Sequence, residues 1–479
     1  MIYTKKQDMS IGRISIILLL SILFLSEALF AQVRLSGNAP SYKGEELVFY
    51  SYSDMITETE EVIARCKVAD DGEFSCELKV DETTYIFSHL GIYKAYLFVE
   101  PGMNYRIVLP PYEPKTEAQR LNPFFREVDL HIGIENMKPN DLNYLISTFD
   151  LAFNENFDQI VREAYAGVQT ISLDSLISKI EAAFSPYNHE FFNSYRKYRY
   201  GLLSQLSLMQ QSRSISENYF QNRPILYNNP SYMELFNLLY DKYFLFFARS
   251  ETGNAVFNNI TGQRSYTNLK QTLSQDDVLA NDSLLELVIL KGLHDGFFDD
   301  KFSRSALLAV LDSIYTTSQI AEHIMIAQNI RSKVTRLLAG FVPAPFELYD
   351  VKGNLVSLRN FEGKYVYLNF CSTSSYTCLQ EFSLLEKLYE KHGRRLEIIT
   401  ISVDRDINDL KNFLELTKYG WTFLHYGNKP DIIKDFDVRA FPTYFLIGPD
   451  RRLITSPAPS PKENFEIQFF RLLRSRGEI

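Results

Sequence analysis

Three regimes of hydrophobic patterning follow one another along the chain. From residue 33 to about 112, apolar and polar positions alternate. Val62, Ala64, Cys66 and Val68 form one such run, and Phe74, Cys76, Leu78 and Val80 form the next. Period 2 is the signature of half-buried strands. Asp70-Asp71-Gly72 between the runs predicts a three-residue hairpin loop with Gly72 in the left-handed position. That register sets Val68 opposite Phe74, Cys66 opposite Cys76, and Ala64 opposite Leu78. Strands over 95–99 and 105–109 flank the turn Pro101-Gly102, and Pro110, Pro111 and Pro114 then read as a linker.

From about residue 122 to 338 the period changes to 3.6. Phe149, Phe153, Phe157 and Val161 recur every fourth residue, and Ile326, Ile330, Val334 and Leu337 recur at helical spacing in a helix with Thr317 as N-cap. Leu284, Leu287, Val288 and Leu290 predict a helix over 282–293. An aromatic ladder, Phe191, Tyr195, Tyr198 and Tyr200, has the spacing to line a ligand groove. A helix face buried in its own bundle accounts for it better. After about residue 339, strand and helix alternate. Val366, Leu368 and Phe370 mark a buried strand, a polar turn follows, and Leu379, Phe382, Leu385 and Leu388 mark one face of a helix. Strands over 397–403, 422–425 and 443–447 and helices over 408–416, near Ile432, and over 463–474 complete a βαβαββα order, which requires a mixed sheet.

The third region carries recognisable words: PAPFELYDVKGNLVSLRNFEGKYVYLNF (343–370), EIITISVD (397–404) and RAFPTYFLIGPD (439–450). It resembles the TlpA/ResA-like branch of the thioredoxin superfamily. The resemblance implies a thioredoxin-like α/β fold and a thiol–disulfide oxidoreductase lineage, in which W-x-x-W-C-x-x-C follows the first core strand. Laid over this chain, Cys371 takes the place of the first Trp, Ser374 the second, and Ser375 the attacking cysteine. Cys378 keeps the place of the resolving cysteine. Pro442 matches the family's cis-proline, beside which the backbone of Phe441 would pair with an extended peptide. The β region resembles small β-sandwich modules that precede such domains. The expected fold is therefore multidomain: a leader over 1–31, a β-sandwich-like domain over 32–112, an all-α domain over 113–338, and a thioredoxin-like domain over 339–479.

Disulfide exchange needs an exposed thiolate to attack and a second thiol to resolve the mixed disulfide. The hydroxyl of Ser375 is essentially un-ionised at pH 7 and cannot attack. Three readings follow. The domain keeps its fold for binding or as a scaffold without catalysis, with an envelope protein or extended peptide as partner. Alternatively, Cys371 and Cys378 form an unconventional redox pair, served by a membrane thiol reductant; Cys371 would then have to turn from the interior direction of the Trp it replaces. Last, Cys378 acts alone as a peroxidatic thiol, since Ser375-x-x-Cys378 fits half of the peroxiredoxin motif. Against this, Cys371 stands where that motif has proline, and Arg439 lies three residues from the matching arginine position. We place the non-catalytic reading first and the peroxidase last.

A chain of 479 residues with 46% apolar side chains can fill several cores. Net charge is −9 and no basic stripe is present, which argues against nucleic acid as a partner. Lys5, Lys6 and Arg13 precede an apolar run that ends in Glu-Ala-Leu-Phe-Ala, a secretory signal peptide with cleavage after Ala31 rather than a membrane anchor. The mature protein is thus expected in an oxidising compartment, the periplasm. There Cys66 and Cys76 form a structural disulfide, with two buried thiols as the other possibility. The seven histidines are scattered and no P-loop, GxGxxG or G-x-S-x-G occurs, so no metal or cofactor is expected.

Overall fold

The computed structural model describes residues 32–122, 124–166, 172–207 and 211–479. The expected leader 1–31, its cleavage point at Ala31, and the side chain of Val161 lie outside the described residues. Packing divides the chain into two compact units. One comprises Met1–Tyr112 and Val128–Leu239, the other Glu113–Glu127 and Tyr240–Ile479. The chain passes between them three times, and the helical segment is shared out rather than forming a body of its own.

The first unit contains β1 (Gln32–Asn38), β2 (Glu46–Asp54), β3 (Thr59–Lys67), β4 (Glu73–Lys79), β5 (Thr84–Leu90), β6 (Tyr93–Val99), β7 (Asn104–Val108), β8 (Val128–His131) and β9 (Gly133–Ile134). They form a four-stranded sheet, β4-β1-β7-β9, and a five-stranded sheet, β3-β2-β5-β6-β8. Val33, Leu35, Leu78 and Ile107 of one sheet and Leu47, Phe49, Ala64 and Leu97 of the other share one apolar core. The turn at 70–72 forms as read: Gly72 has φ +89°, and the Ala69 N–H donates to the Glu73 carbonyl at 2.9 Å. The ladder does not. β3 pairs with β2 and β4 with β1, so Cys66 lies opposite Leu47 and Cys76 opposite Leu35. A lone two-stranded ladder leaves its apolar face open to water, whereas strands that diverge into two sheets bury it from both sides. Cys66 and Cys76 are joined by a disulfide, with Cα atoms 5.2 Å apart, and the bridge ties one sheet to the other.

The all-α reading from residue 122 needs a second correction. β8 adds in parallel to β6, and β9 pairs with β7, so the β region resumes after the proline-rich stretch. Both strands are short edge strands whose pairing partners lie earlier in the chain, and so short a run shows no period of its own. Helices Leu142–Ala166, Leu173–Phe184 and Glu190–Leu206 then pack around Phe149, Phe153 and Phe192. Tyr195 and Tyr200 are buried inside this bundle, and Tyr198 is buried against Phe220 and Tyr232.

In the second unit, helices Asp282–Gly296, Arg304–Thr317 and Ala321–Thr335 precede the α/β domain. Thr317 ends one helix and does not cap the next, because its hydroxyl donates back to the Ser313 carbonyl at 2.7 Å. The domain's sheet has seven strands: β10 (Leu348–Asp350), β11 (Leu355–Val356), β12 (Tyr365–Cys371), β13 (Leu396–Ser402), β14 (Thr422–His425), β15 (Thr443–Ile447) and β16 (Leu453–Ala458). Their order is β11-β10-β14-β13-β12-β15-β16. β12, β13 and β14 run parallel, and β15 returns antiparallel against β12. Every residue of β12 and β13 is buried, as expected for central strands with both faces covered.

Candidate functional site

The site forms where β12 ends. Val366, Leu368 and Phe370 face one apolar cluster of the domain, while Tyr365, Tyr367 and Cys371 face the other. This alternation follows directly from the period-2 pleat. The second cluster also contains Cys378, Phe382, Leu385 and Leu388 from the helix Tyr376–His392. Cys371 thus points at the motif helix from the inward direction it was expected to have to leave. Leu379, expected on the apolar face, is 39% exposed, and that face is instead carried by Cys378, Glu381, Phe382, Leu385 and Leu388.

Between strand and helix the turn is held by one carboxylate. Asp404, buried just after β13, accepts from the Ser372 hydroxyl at 2.7 Å, from the Thr373 N–H at 3.0 and 3.1 Å, and from the Ser402 hydroxyl at 2.7 Å. Ser375 is the N-cap of the helix, and its hydroxyl accepts the Cys378 N–H at 3.5 Å. Ser375 thereby satisfies the helix end.

Both remaining thiols are inside. Cys371 is 1% exposed and Cys378 0% exposed, and neither is in a disulfide. The two thiols act on each other electrostatically, and in opposite senses. Burial pushes the Cys371 thiol well above the usual range, and the nearby Cys378 pushes it further. The Cys371 thiol, opposed by burial and aided by the Ser375 hydroxyl, holds the Cys378 thiol below it. Glu381, one turn along the helix, is buried and accepts from the Tyr444 hydroxyl at 2.6 Å. Burial and the nearby Cys371 and Glu381 raise the Tyr444 hydroxyl's pKa. Glu381, Tyr444 and Asp404 were not singled out in the sequence. Glu381 left a signal there, a charged residue on an otherwise apolar helical stripe.

The Phe441–Pro442 peptide bond is cis, and Phe441 packs against both clusters of the domain. Thr443, the next residue, pairs with Phe370, so Pro442 sits beside the end of β12. Tyr376 stands 74% exposed on the first turn of the helix. Cys371, Ser375, Cys378, Phe441 and Pro442 are thus gathered at the carboxyl end of the central strand β12, whereas Cys66 and Cys76 lie in the other unit and belong to its core. Among the described residues, no group of three or more His, Cys, Asp or Glu side chains could hold a metal ion. No helix among them is long and apolar enough to cross a membrane.

A family model described as thioredoxin-like matches residues 363–453. The thiol-disulfide oxidoreductase ResA of Bacillus cereus is 32% identical over 129 residues, spanning 26% of this chain and 73% of that protein. This chain belongs to the TlpA/ResA-like thioredoxin-fold family. ResA of Bacillus subtilis is 27% identical over 132 residues, spanning 27% of the chain and 72% of that relative. Among solved structures, the thioredoxin domain of a thiol-disulfide oxidoreductase from Bacteroides vulgatus is similar at 26% identity and a TM-score of 0.26. The match covers 28% of this chain and 98% of that one. The family membership rests on the C-terminal domain alone.

Proposed function

We propose that this protein is a secreted, periplasmic member of the family that binds an envelope protein or extended peptide without catalysing disulfide exchange. The observation that carries this reading is the division of roles at the motif. The half-exposed attacking position is Ser375, while Cys371 and Cys378 are 1% and 0% exposed. Exchange begins when an accessible thiolate reaches a substrate sulfur in line, and no thiol of the domain is so placed. The exposed Tyr376 and the loop at Phe441-Pro442 remain as a surface against which an extended chain can lie.

A second reading has one observation in its favour: the two free thiols lie in the same apolar cluster. In it, Cys371 and Cys378 pass two electrons and two protons to a substrate disulfide, which becomes two thiols while the pair becomes a disulfide. A membrane thiol reductant would then restore the pair. Differential alkylation with peptide mass spectrometry, on mature protein in dithiol buffers of stepped potential, separates the two. The binding reading expects both thiols reduced and slow to alkylate at every potential. Titration of Cys371 and Cys378 together as a two-electron couple would replace it with the exchange reading.

A further inference from the structure

The proline-rich stretch between β7 and β8 does more than link strands. Residues 113–127 leave the first unit, pack with the second, and return. The excursion is held together by its own contacts. The Lys115 ammonium meets the Glu127 carboxylate at 2.5 Å across its base and lies 5.6 Å from the Phe125 ring. Thr116 and Gln119 form a reciprocal capping box on the short helix Glu117–Leu121. A segment closed in this way can move as a body.

Its contacts with the α/β domain include Glu117, Arg120, Leu121 and Phe124. Leu121 packs against the apolar cluster that includes Tyr426 and Val438 and on which Phe441 also rests. The Arg439 guanidinium lies 5.9 Å from the Phe124 ring, which is otherwise 68% exposed. Glu117 and Arg120 act electrostatically on the Tyr426 hydroxyl. Tyr426 follows the carboxyl end of β14, and Arg439 is three residues before Pro442, so the excursion sits at the carboxyl end of the parallel strands, the end that bears Ser375 and the Phe441-Pro442 loop. The contact is also imperfect. The Tyr426 hydroxyl and the Arg120 Nε are both buried without a hydrogen-bond partner. Unpaired buried groups weigh against a contact, and here they fall on its two sides.

We propose that residues 113–127 form an intramolecular strap over the approach to the Phe441-Pro442 loop, which must lift before an extended peptide docks there. The proposal rests on the peptide-binding reading only for what the strap excludes. Its return leg is β8, an edge strand of four residues, so lifting the strap pulls on the shortest strand of the five-stranded sheet. Occupancy of the site is thereby passed to the N-terminal unit through the covalent chain.

The test compares the full mature protein with Leu121→Ser and Phe124→Ala, the second being a change at an exposed ring that the fold tolerates. Hydrogen exchange of peptides spanning 438–443 should quicken at least about threefold in both variants, with β12 unchanged. Fluorescently labelled, reduced and carboxamidomethylated α-lactalbumin serves as the extended probe, and its Kd should fall by a similar factor. Unchanged exchange at 438–443 in both folded variants overturns the strap. So does faster exchange with probe binding equal in all three proteins. Faster exchange with no probe binding by any form keeps the strap as a cover of the loop and sinks the peptide-binding reading instead.

Discussion

Ser375 decides what Cys378 can do. The hydroxyl accepts the amide of Cys378, and the Cys378 sulfur is buried with Cys371 in one apolar cluster, so the cysteine is held from two sides. A thiol at position 375 would stand half-exposed at a helix N-terminus, where the unpaired amides favour a thiolate. Ser375→Cys should therefore raise dithiol-driven insulin reduction at least about tenfold above the wild-type rate. An inert Ser375→Cys protein would mean that the surface around the motif no longer admits a disulfide. Away from the motif, Glu286 carries the residue-scale prediction for pH. Burial works to raise its pKa, but hydrogen bonds from His323, Ser318 and Tyr266, with the charge of His323, take it from the ordinary 4.5 to about 2. A depressed carboxyl pKa stabilises the fold above the unfolded value and loses that contribution as pH falls through the folded one. The contribution is on the order of 3 kcal/mol for such a shift. The stability gap between wild type and Glu286→Gln, measured by urea unfolding, should hold from pH 7 to about 5 and close between about 4.5 and 2.

At the scale of the element, the strand–turn–helix unit from Tyr365 to His392 depends on a residue outside it. Asp404 takes the hydroxyls of Ser372 and Ser402 and the amide of Thr373. Asp404→Ala leaves those donors without their acceptor in a buried turn, which should cost about 2–4 kcal/mol, read as a lower Cm in urea. Alkylation of Cys378 should quicken as the turn loosens, and an unaltered rate would show that the helix alone shields the thiol. The unit itself was legible in the sequence because the apolar period switches from 2 to 3.6 within a few residues around Cys371. Asp404 was not, since its partners in the turn, Ser372 and Thr373, lie some thirty positions away and nothing local marks a carboxylate as their acceptor. The pairing of Cys371 with Cys378 was legible only as an option. It required knowing that Cys371 continues the inward face of Tyr365 and Tyr367 up to the last residue of β12. β3 and β4 show the same limit from the other side: each strand's period was plain, while the choice of partner belongs to distant β1 and β2.

At the scale of the whole molecule, four apolar clusters among the described residues each lie within one unit. One cluster is built by the two β-sheets and another by the helices that follow them together with Phe98, all in the first unit. The two clusters on either face of the α/β sheet are drawn from the second unit, with Leu121 reaching one of them from the excursion. Cores that share no residue can melt separately. The Cys66–Cys76 bridge then acts on one of them only. It closes a short loop, with a sequence separation of 10, so its removal should cost about 2–3 kcal/mol in that unit. In calorimetry, the Cys66→Ala, Cys76→Ala protein should lose about 5–10 °C from one transition and leave the other within about 1 °C. Both substitutions are made together so that no free thiol remains to confuse the comparison. An equal shift of the whole profile would show that the three passages of the chain between units couple them into one cooperative body, and the strap would then be the first place to look for that coupling.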